Sequence, residues 1–541
     1  MTDTTATAKA GVTEKGTEKV PAYSWYALSV LVLIYVLNFI DRQILSILAN
    51  DIKEDLGVAD DYLGFLYGTA FAVFYALFGI PLGKLADSWK RVRLMAIGLT
   101  LWSAMTAFSG LAKNAAMLTT ARIGVGVGEA TASPSAYSLI SDWFPARLRA
   151  TALAIYSSGL YIGGGISIWI GALVVENWNA AYPDGGPLGL VGWQAAFMSV
   201  GIPGLVLALW VLTLREPVRG AIDGLTTPEN PEPFRGFLQE LVQVIPPLTL
   251  IGAAKRGARG LIVNLAGAAV FAALAIALSH LTAGATSSIV PGVADQWLFL
   301  GVGYYAVFSW ATALRSRDLP TFSLTWGSPA FLTVILGYGT VAFISYAASY
   351  WGAPYAERVL GADKTDLGWF LGMPAALAGF LGVILGGRIA DWLLERYATG
   401  RVVVILFGLL ASIPPIIVAY TTESLPIFYV ASFVAQMTSA SALGAAAASS
   451  QALVLPRMRG MATAIFFLST TLIGLGIGPF LAGYVSAVSD GGLSTGMLAT
   501  LVAAPFGAVL LAFALKLVPA ASQSVIERAR AAGEVIGETD A

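Results

Sequence analysis

Apolar residues along this chain come in runs of about 20, the length at which a helix spans a bilayer's hydrocarbon core. The runs predict spanning helices near 25–49, 62–82, 94–112, 115–141, 150–177 and 193–214. Six more follow near 328–352, 366–388, 402–421, 424–454, 462–487 and 494–516. Short polar motifs repeat with the runs. Gly83-Lys84-Leu85-Ala86-Asp87 ends one run and leads into Lys90, Arg91 and Arg93. Gly387-Arg388-Ile389-Ala390-Asp391 ends another, with Arg396 and Arg401 behind it. Pro145, Arg147 and Arg149 precede Ala152-Leu153-Ala154-Ile155, as Pro456, Arg457 and Arg459 precede Ala462-Thr463-Ala464-Ile465. The pattern predicts a duplicated all-α integral membrane protein, two six-helix bundles that can rock about a central site.

Between the halves the pattern changes. Residues 215–260 are polar, with Pro228-Glu229-Asn230-Pro231-Glu232-Pro233 and an amphipathic piece around Phe234–Val244. Two further apolar runs, 261–281 and 293–314, flank a turn-rich stretch at 283–292. Lys255, Arg256 and Arg259 precede the pair, and Arg315 and Arg317 follow it. This predicts an inserted helical hairpin and fourteen crossings; the alternative is a linker lying on the membrane surface. The expected organisation is a tail at 1–24, a bundle at 25–214, a linker with hairpin at 215–327, a bundle at 328–516 and a tail at 517–541.

Composition narrows the class. The chain is 57% hydrophobic and 12% charged, with mean hydropathy +0.75, outside the range of soluble globules. A net charge of -1 gives no sign of nucleic acid. The absence of cysteine removes disulfides, iron–sulfur clusters and thiol catalysis, and a single histidine, His280, removes His-cluster metal sites. His280 falls near the outer end of the hairpin and reads as an interfacial residue. The first twenty residues lack the apolar core of a signal peptide and read as a disordered cytoplasmic tail. With the N-terminus inside, all Lys and Arg except Arg42, Lys53, Lys113, Arg122, Arg358 and Lys364 fall in cytoplasmic segments. Both termini are then cytoplasmic, and the membrane is the cell's inner membrane or an equivalent.

Charges inside the runs carry the chemistry. Asp41 and Arg42 are adjacent in the first helix; Arg122 and Glu129 lie in the fourth. Each costs at least about 2.5 kcal/mol at the bilayer centre, so the four must face one another or water. Arg122 and Glu129, seven apart, share a helix face. Asp41 and Arg122 should lie at similar depth in oppositely directed helices. Two carboxylates against two guanidiniums titrate as a coupled set, as a proton-linked carrier requires. Arginine stays charged, so protonating a carboxylate frees it for an anionic substrate. The bland alternative is a structural ion-pair cluster. Gly124, Gly126 and Gly128 follow no strand and precede no Gly-Lys-Ser/Thr, so they read as close-packing positions rather than a phosphate loop. Gly159, Gly163, Gly164, Gly165, Gly171 and Ala445–Ala448 read the same way. Gly83, Asp87 and Arg91, with Gly387, Asp391 and Arg396, sit at helix ends where charge pairs can latch one conformation.

Gly83-Lys84-Leu85-Ala86-Asp87-Ser88-Trp89-Lys90-Arg91 resembles the signature loop of the major facilitator superfamily, and Arg122 with Gly126-Val127-Gly128 resembles its fourth-helix motif. Asn38-Phe39-Ile40-Asp41-Arg42 with Arg122-Ile123-Gly124-Val125-Gly126-Val127-Gly128-Glu129-Ala130 is similar to the spinster family, whose animal members export lysophospholipids and sphingosine-1-phosphate. The resemblance is strongest in the first half and implies proton- and substrate-coupling roles for Asp41, Arg42, Arg122 and Glu129. The hairpin departs from the superfamily's twelve-helix pattern. Proton-coupled carriers of sugar acids and other organic anions share a similar Asp-Arg pair.

In the second half, Tyr338, Ser345, Tyr346 and Tyr350 of helix 7 and Gln436, Thr438 and Ser441 of helix 10 are the cavity candidates. No mid-helix acid or base accompanies them, which suits an amphipathic substrate. The expectation is a secondary transporter, not an enzyme, moving an anionic lysolipid- or sphingolipid-like substrate by proton-coupled alternating access. The alternatives are an organic anion or sugar acid carrier, or an uncoupled facilitator. No ATP-binding sequence or cofactor is expected, and the proton gradient supplies energy. Expected partners are the substrate, protons and the bilayer, with no nucleic acid, and the expected state is a monomer.

Overall fold

The computed structural model describes residues 20–223, 230–282 and 294–535. The tail readings at 1–19 and 536–541, Pro228 and Glu229, and the turn at 283–292 lie outside the described residues. Six helices form the first bundle: α1 (Ala22–Leu56), α2 (Asp60–Ser88), α3 (Arg91–Ser109), α4 (Ala115–Glu129 continuing as Ala132–Trp143), α5 (Ala146–Ala181) and α6 (Gly192–Val211). The linker holds α7 (Pro233–Val244), α8 (Leu248–Ala254), α9 (Ala258–Leu281), α10 (Asp295–Arg317) and α11 (Leu319–Leu324). The second bundle is α12 (Pro329–Leu360), α13 (Lys364–Leu394), α14 (Gly400–Thr421), α15 (Leu425–Ala452), α16 (Pro456–Val488) and α17 (Gly492–Gln523), followed by α18 (Val525–Ala531). Among the described residues there is no strand.

By length and composition thirteen of these helices can cross a membrane, α9 and α10 among them. The fourteenth expected crossing, α4, is absent from that set because Arg122, Glu129 and its small polar residues lower its hydropathy; it is also divided. Asn114 caps its start, accepting from the Met117 N–H at 2.9 Å. Pro134 has no N–H to offer the Ala130 carbonyl, so the hydrogen-bond ladder breaks just after Glu129. The helices overrun the apolar runs by a few residues because polar ends continue the same backbone ladder beyond the hydrocarbon.

The duplication extends to helix ends and packing. Gly57 (φ 63°) closes α1 and Gly361 (φ 68°) closes its counterpart α12, both in the left-handed conformation a glycine adopts without strain. Packing of α1 on α5, α3 on α4 and α2 on α4 recurs as α12 on α16, α14 on α15 and α13 on α15. Two seams join the bundles, α2 against α16 and α5 against α13. They are equivalent under the duplication, since α13 is the counterpart of α2 and α16 of α5.

Glycines make both seams close. A Cβ on Gly64 would lie 2.4 Å from the Pro479 carbonyl oxygen, and one on Gly165 would lie 2.5 Å from that of Gly372. Gly159, Gly163 and Gly171 likewise face α1, whereas Gly164 has no neighbour within 4 Å of its Cβ position. Gly64→Leu is therefore expected to cost about 1–3 kcal/mol, because the obstructing atoms are backbone. Thermal unfolding of the purified protein measures this. Gly164→Ala should leave the melting temperature unchanged, and equal behaviour of the two variants would refute the packing argument.

Each seam also contains a π-helical segment, Leu367–Gly372 in α13 and Thr470–Leu475 in α16. A π turn displaces carbonyls from the α-helical ladder, and at the α16 segment the hairpin supplies partners. Tyr304 donates to the Leu472 carbonyl at 3.2 Å, and Gln296 Nε2 to that of Gly476 at 2.8 Å. Thr69 of α2 donates to the same Gly476 carbonyl at 2.5 Å. Helix α10 thus packs across the α2–α16 seam, touching both halves.

Candidate functional site

One end of the molecule, the basic face, carries the starts of α1, α3, α5, α12, α14 and α16 and most of the Lys and Arg. At the opposite end the halves are tied together. Asp60 accepts from Lys53 and Arg358, each at 2.7 Å, and from Ser486 at 2.8 Å. Lys364 pairs with Asp51 at 2.9 Å and with Glu357 at 2.5 Å. Asn50 donates to Glu357 at 2.8 Å and accepts from Arg358 at 2.6 Å. Deeper in, Ser46 Oγ donates to the Tyr350 carbonyl at 2.5 Å and Gln43 Nε2 to that of Ser349 at 2.7 Å. The Tyr67 ring stacks on Tyr350 with centroids 4.2 Å apart.

Towards the basic face the bundles part. Ala132–Trp143 and Arg459–Ser469 pack chiefly within their own bundles. Between the bundles lies a cavity of about 210 Å³. Phe39, Gln43 and Tyr161 line it from the first half, and Tyr338, Tyr346 and Gln436 from the second. Phe467, also in its wall, keeps 43% of its surface exposed, so the cavity is not sealed.

The four intramembrane charges gather beside Phe39. Arg42 Nε donates to Glu129 Oε2 at 2.6 Å. Arg122 Nη1 lies 4.0 Å from Asp41 Oδ1 and donates to the Asp41 carbonyl at 3.3 Å. The Asp41 carboxylate also accepts from the Thr106 hydroxyl of α3. Arg42 is caged by aromatic faces, its Cζ 4.6 Å from the Phe71 and Tyr75 centroids and 4.9 Å from that of Phe39. Such faces stabilise a cation where water is scarce. The Asp41, Arg122 and Glu129 side chains are at most 1% exposed, while Arg42 keeps 15%. Of the four, Arg42 is therefore the most exposed, and it packs against Phe39 of the cavity wall. Asp41 Oδ1, Glu129 Oε1 and Arg122 Nε have no hydrogen-bond partner among the described residues, so the cluster retains capacity for protons or water.

The other sequence candidates divide. Tyr338, Tyr346 and Gln436 line the cavity. Tyr350 does not; it is fully buried between Tyr67 and Trp351. Thr438 turns its hydroxyl back to the Val434 carbonyl at 2.8 Å. The repeated helix-end motifs make what ion pairs they have within their own halves. Asp87 is exposed with no ion pair among the described residues, and Gly83 packs near Pro134 of α4. Arg91 is 1% exposed and joins α3 to Asp142 of α4, to Glu216 at 2.8 Å and to the Pro217 carbonyl at 2.9 Å. Asp391 meets Arg401 at 3.4 Å, Arg396 lies over the Trp392 ring at 4.0 Å, and Gly387 has no neighbour at its Cβ position. Arg91→Ala should strand two carboxylates and cost about 3–5 kcal/mol. Asp87→Asn should cost nothing measurable. Melting temperatures of the two variants test the contrast, and similar losses would contradict it.

Several participants had no clear sequence signal. Thr106, Phe71 and Tyr75 resemble dozens of other membrane residues until the fold brings them to Asp41 and Arg42. The opposite-face network left a fainter trace, since Lys53, Arg358 and Lys364 are basic residues on the side where few occur.

Comparison with known proteins gives one family model, the Major Facilitator Superfamily, matching residues 31–392. An MFS-type efflux pump of Mycolicibacterium smegmatis is 24% identical over 86% of this chain and 85% of its own. Protein spinster of Drosophila melanogaster is 24% identical over 72% of this chain, an alignment spanning 49% of that protein. Among solved structures, a bacterial homologue of the human lysosomal transporter spinster, inward-facing and unoccupied, superposes with TM-score 0.65 at 26% identity, covering 94% of this chain and 99% of that one.

Proposed function

Because the chain belongs to the major facilitator superfamily and is spinster-like within it, we propose that it carries an anionic, amphipathic substrate across the membrane by proton-coupled alternating access. The observation that carries this reading is the charge cluster: one caged arginine, 15% exposed and packed against Phe39 of the cavity wall, held by a carboxylate with no surface exposure. The basic face is cytoplasmic by its Lys and Arg excess, which makes this conformation inward-open in the cell membrane with both termini inside.

Arg42 and Glu129 form the working pair. An anionic head group entering beside Phe39 competes with Glu129 for Arg42, and a proton taken up by Glu129 removes the competitor. Asp41, paired at longer range with Arg122, exchanges the second proton. The second-half wall, aromatic and hydroxylated without a charge, receives the apolar part. Release of the opposite-face network then lets the halves rock, with the seam glycines as close contacts about which they turn. One chain encloses the whole cavity, so a monomer suffices. No cofactor enters the scheme.

The test is a pH-jump assay with purified protein in liposomes containing a pH-sensitive dye, presenting lysophospholipids, sphingosine-1-phosphate and sugar acids in turn. Proton movement driven by a lysolipid, and lost in Asp41→Asn, is the expected result. Movement driven only by sugar acids would replace the substrate class while keeping the coupling. Substrate uptake without proton movement would make the protein a facilitator and reduce the cluster to a structural or gating role.

A further inference from the structure

The linker carries a groove, bordered by the cationic α8–α9 turn, that the transport scheme does not use. Helix α7 lies on the basic face along the end of α2, with Phe237 on the Leu82, Leu85 and Ala86 cluster and the Phe234 ring 5.3 Å from Trp89. It turns through 98° into α8, which leads directly to α9. Between α7, the end of α8 and the end of α10 is a groove of about 840 Å³, its apolar wall formed by Phe234, Leu238 and Val242 and its rim by Lys255 and Arg317.

Charge here is unbalanced. Arg317 pairs with Glu240 at 2.7 Å, and Arg235 with Glu232 at 3.0 Å. Lys255, Arg256 and Arg259 have no carboxylate partner among the described residues. Arg256 is half-buried and meets only neutral groups, Gln243 and, at 3.4 Å, Thr312. Burial and the nearby Arg317 hold its guanidinium below the usual range, as expected of a cation without a counterion. Behind it, Asn264 is fully buried with an unpartnered Oδ1, as is the Ser309 hydroxyl. A bound anion would offset the cost of the half-buried guanidinium without a counterion.

We propose that an anionic phospholipid of the adjoining leaflet binds where this groove meets the α8–α9 turn, its phosphate held by Lys255 of the groove rim with Arg256 and Arg259 of the turn beside it, and its acyl chains lying along α9. The occupant follows from position. Helix α9 starts at Ala258, immediately after these cations, and has mean hydropathy 2.5 with only 17% of its apolar window buried. Ile262 and Leu265 are 65% and 48% exposed, so lipid must cover this helix and bring head groups to the level of its first turn. Since α10 packs on the α2–α16 seam, a lipid held here also loads the hairpin against the moving halves.

Native mass spectrometry of the purified full-length protein, titrated with phosphatidylglycerol or phosphatidylcholine in detergent, tests the site. Phosphatidylglycerol should bind the wild type in preference to phosphatidylcholine. The Lys255→Gln, Arg256→Gln, Arg259→Gln triple variant should bind it on the order of a hundredfold more weakly, and Lys255→Gln alone about fivefold. Lys516→Gln, which removes an exposed basic residue of the second bundle, should bind like the wild type. Wild-type affinity in both the single and the triple variant would overturn the proposal. So would equal affinity for the two lipids, or displacement by soluble glycerol phosphate as effective as by phosphatidylglycerol, which would mark a free-anion site.

Discussion

Glu129→Gln is expected to abolish substrate-driven proton movement and to destabilise the protein by about 3 kcal/mol. The side chain is fully buried and holds Arg42 at 2.6 Å. A glutamine keeps the shape and one acceptor but removes the charge, stranding a guanidinium within an aromatic cage. Removing one member of a buried pair typically costs about 3–5 kcal/mol, and the partial exposure of Arg42 puts this case at the lower end. Asp41→Asn should lose coupling equally while melting closer to the wild type. Its carboxylate stands 4.0 Å from Arg122, and an amide oxygen can still accept from Thr106. The paired measurement is a pH jump in liposomes beside a thermal melt in detergent. Proton movement surviving in either variant would end the coupling role of that residue. Equal melting temperatures would show that the two ion pairs are equally tight, contrary to their geometry.

Asp60→Asn should open the face away from the basic side. Asp60 is 4% exposed at its side chain and joins Lys53 of α1, Arg358 of α12 and Ser486 of α16, so three helices from both halves meet on one carboxylate. Losing a buried charge of this kind costs about 2–5 kcal/mol. Lys53 and Arg358 are each about a third exposed, so roughly 2 kcal/mol is expected, a shift of about thirtyfold between closed and open populations. The readout is direct because the chain has no cysteine. A single cysteine at Ser349, in the cavity wall, should react about thirtyfold faster with an impermeant thiol reagent added from the side opposite the basic face. An unchanged rate would mean that the seams, not the ion network, keep that face shut.

How far the sequence reached depends on the interaction. Spanning helices were legible because a bilayer demands about 20 apolar residues whatever surrounds them. The duplication was legible because its motifs lie in loops and helix ends. The depth match of Asp41 and Arg122 followed from helix direction alone. Their partners did not: Arg42 reaches past its own turn to Glu129, and only packing decides between that and the alternatives. Tyr350 and Thr438 show the same limit. Both sit on helices that border the cavity, but one is stacked into the closed end and the other bonds its own backbone. Helical periodicity cannot resolve which face meets the cavity when every face of a membrane helix is apolar.

By itself, then, the amino-acid sequence determined the membrane class, the two repeats, the inserted hairpin and the four charges that must meet, because each follows from the cost of placing a residue in hydrocarbon. Tertiary structure alone decided which charges pair, that the helix-end motifs bond within their own halves, that α10 lies across the α2–α16 seam, and that the cavity opens towards the basic face. Those outcomes depend on contacts of side chains hundreds of residues apart, where no local rule selects one partner over another.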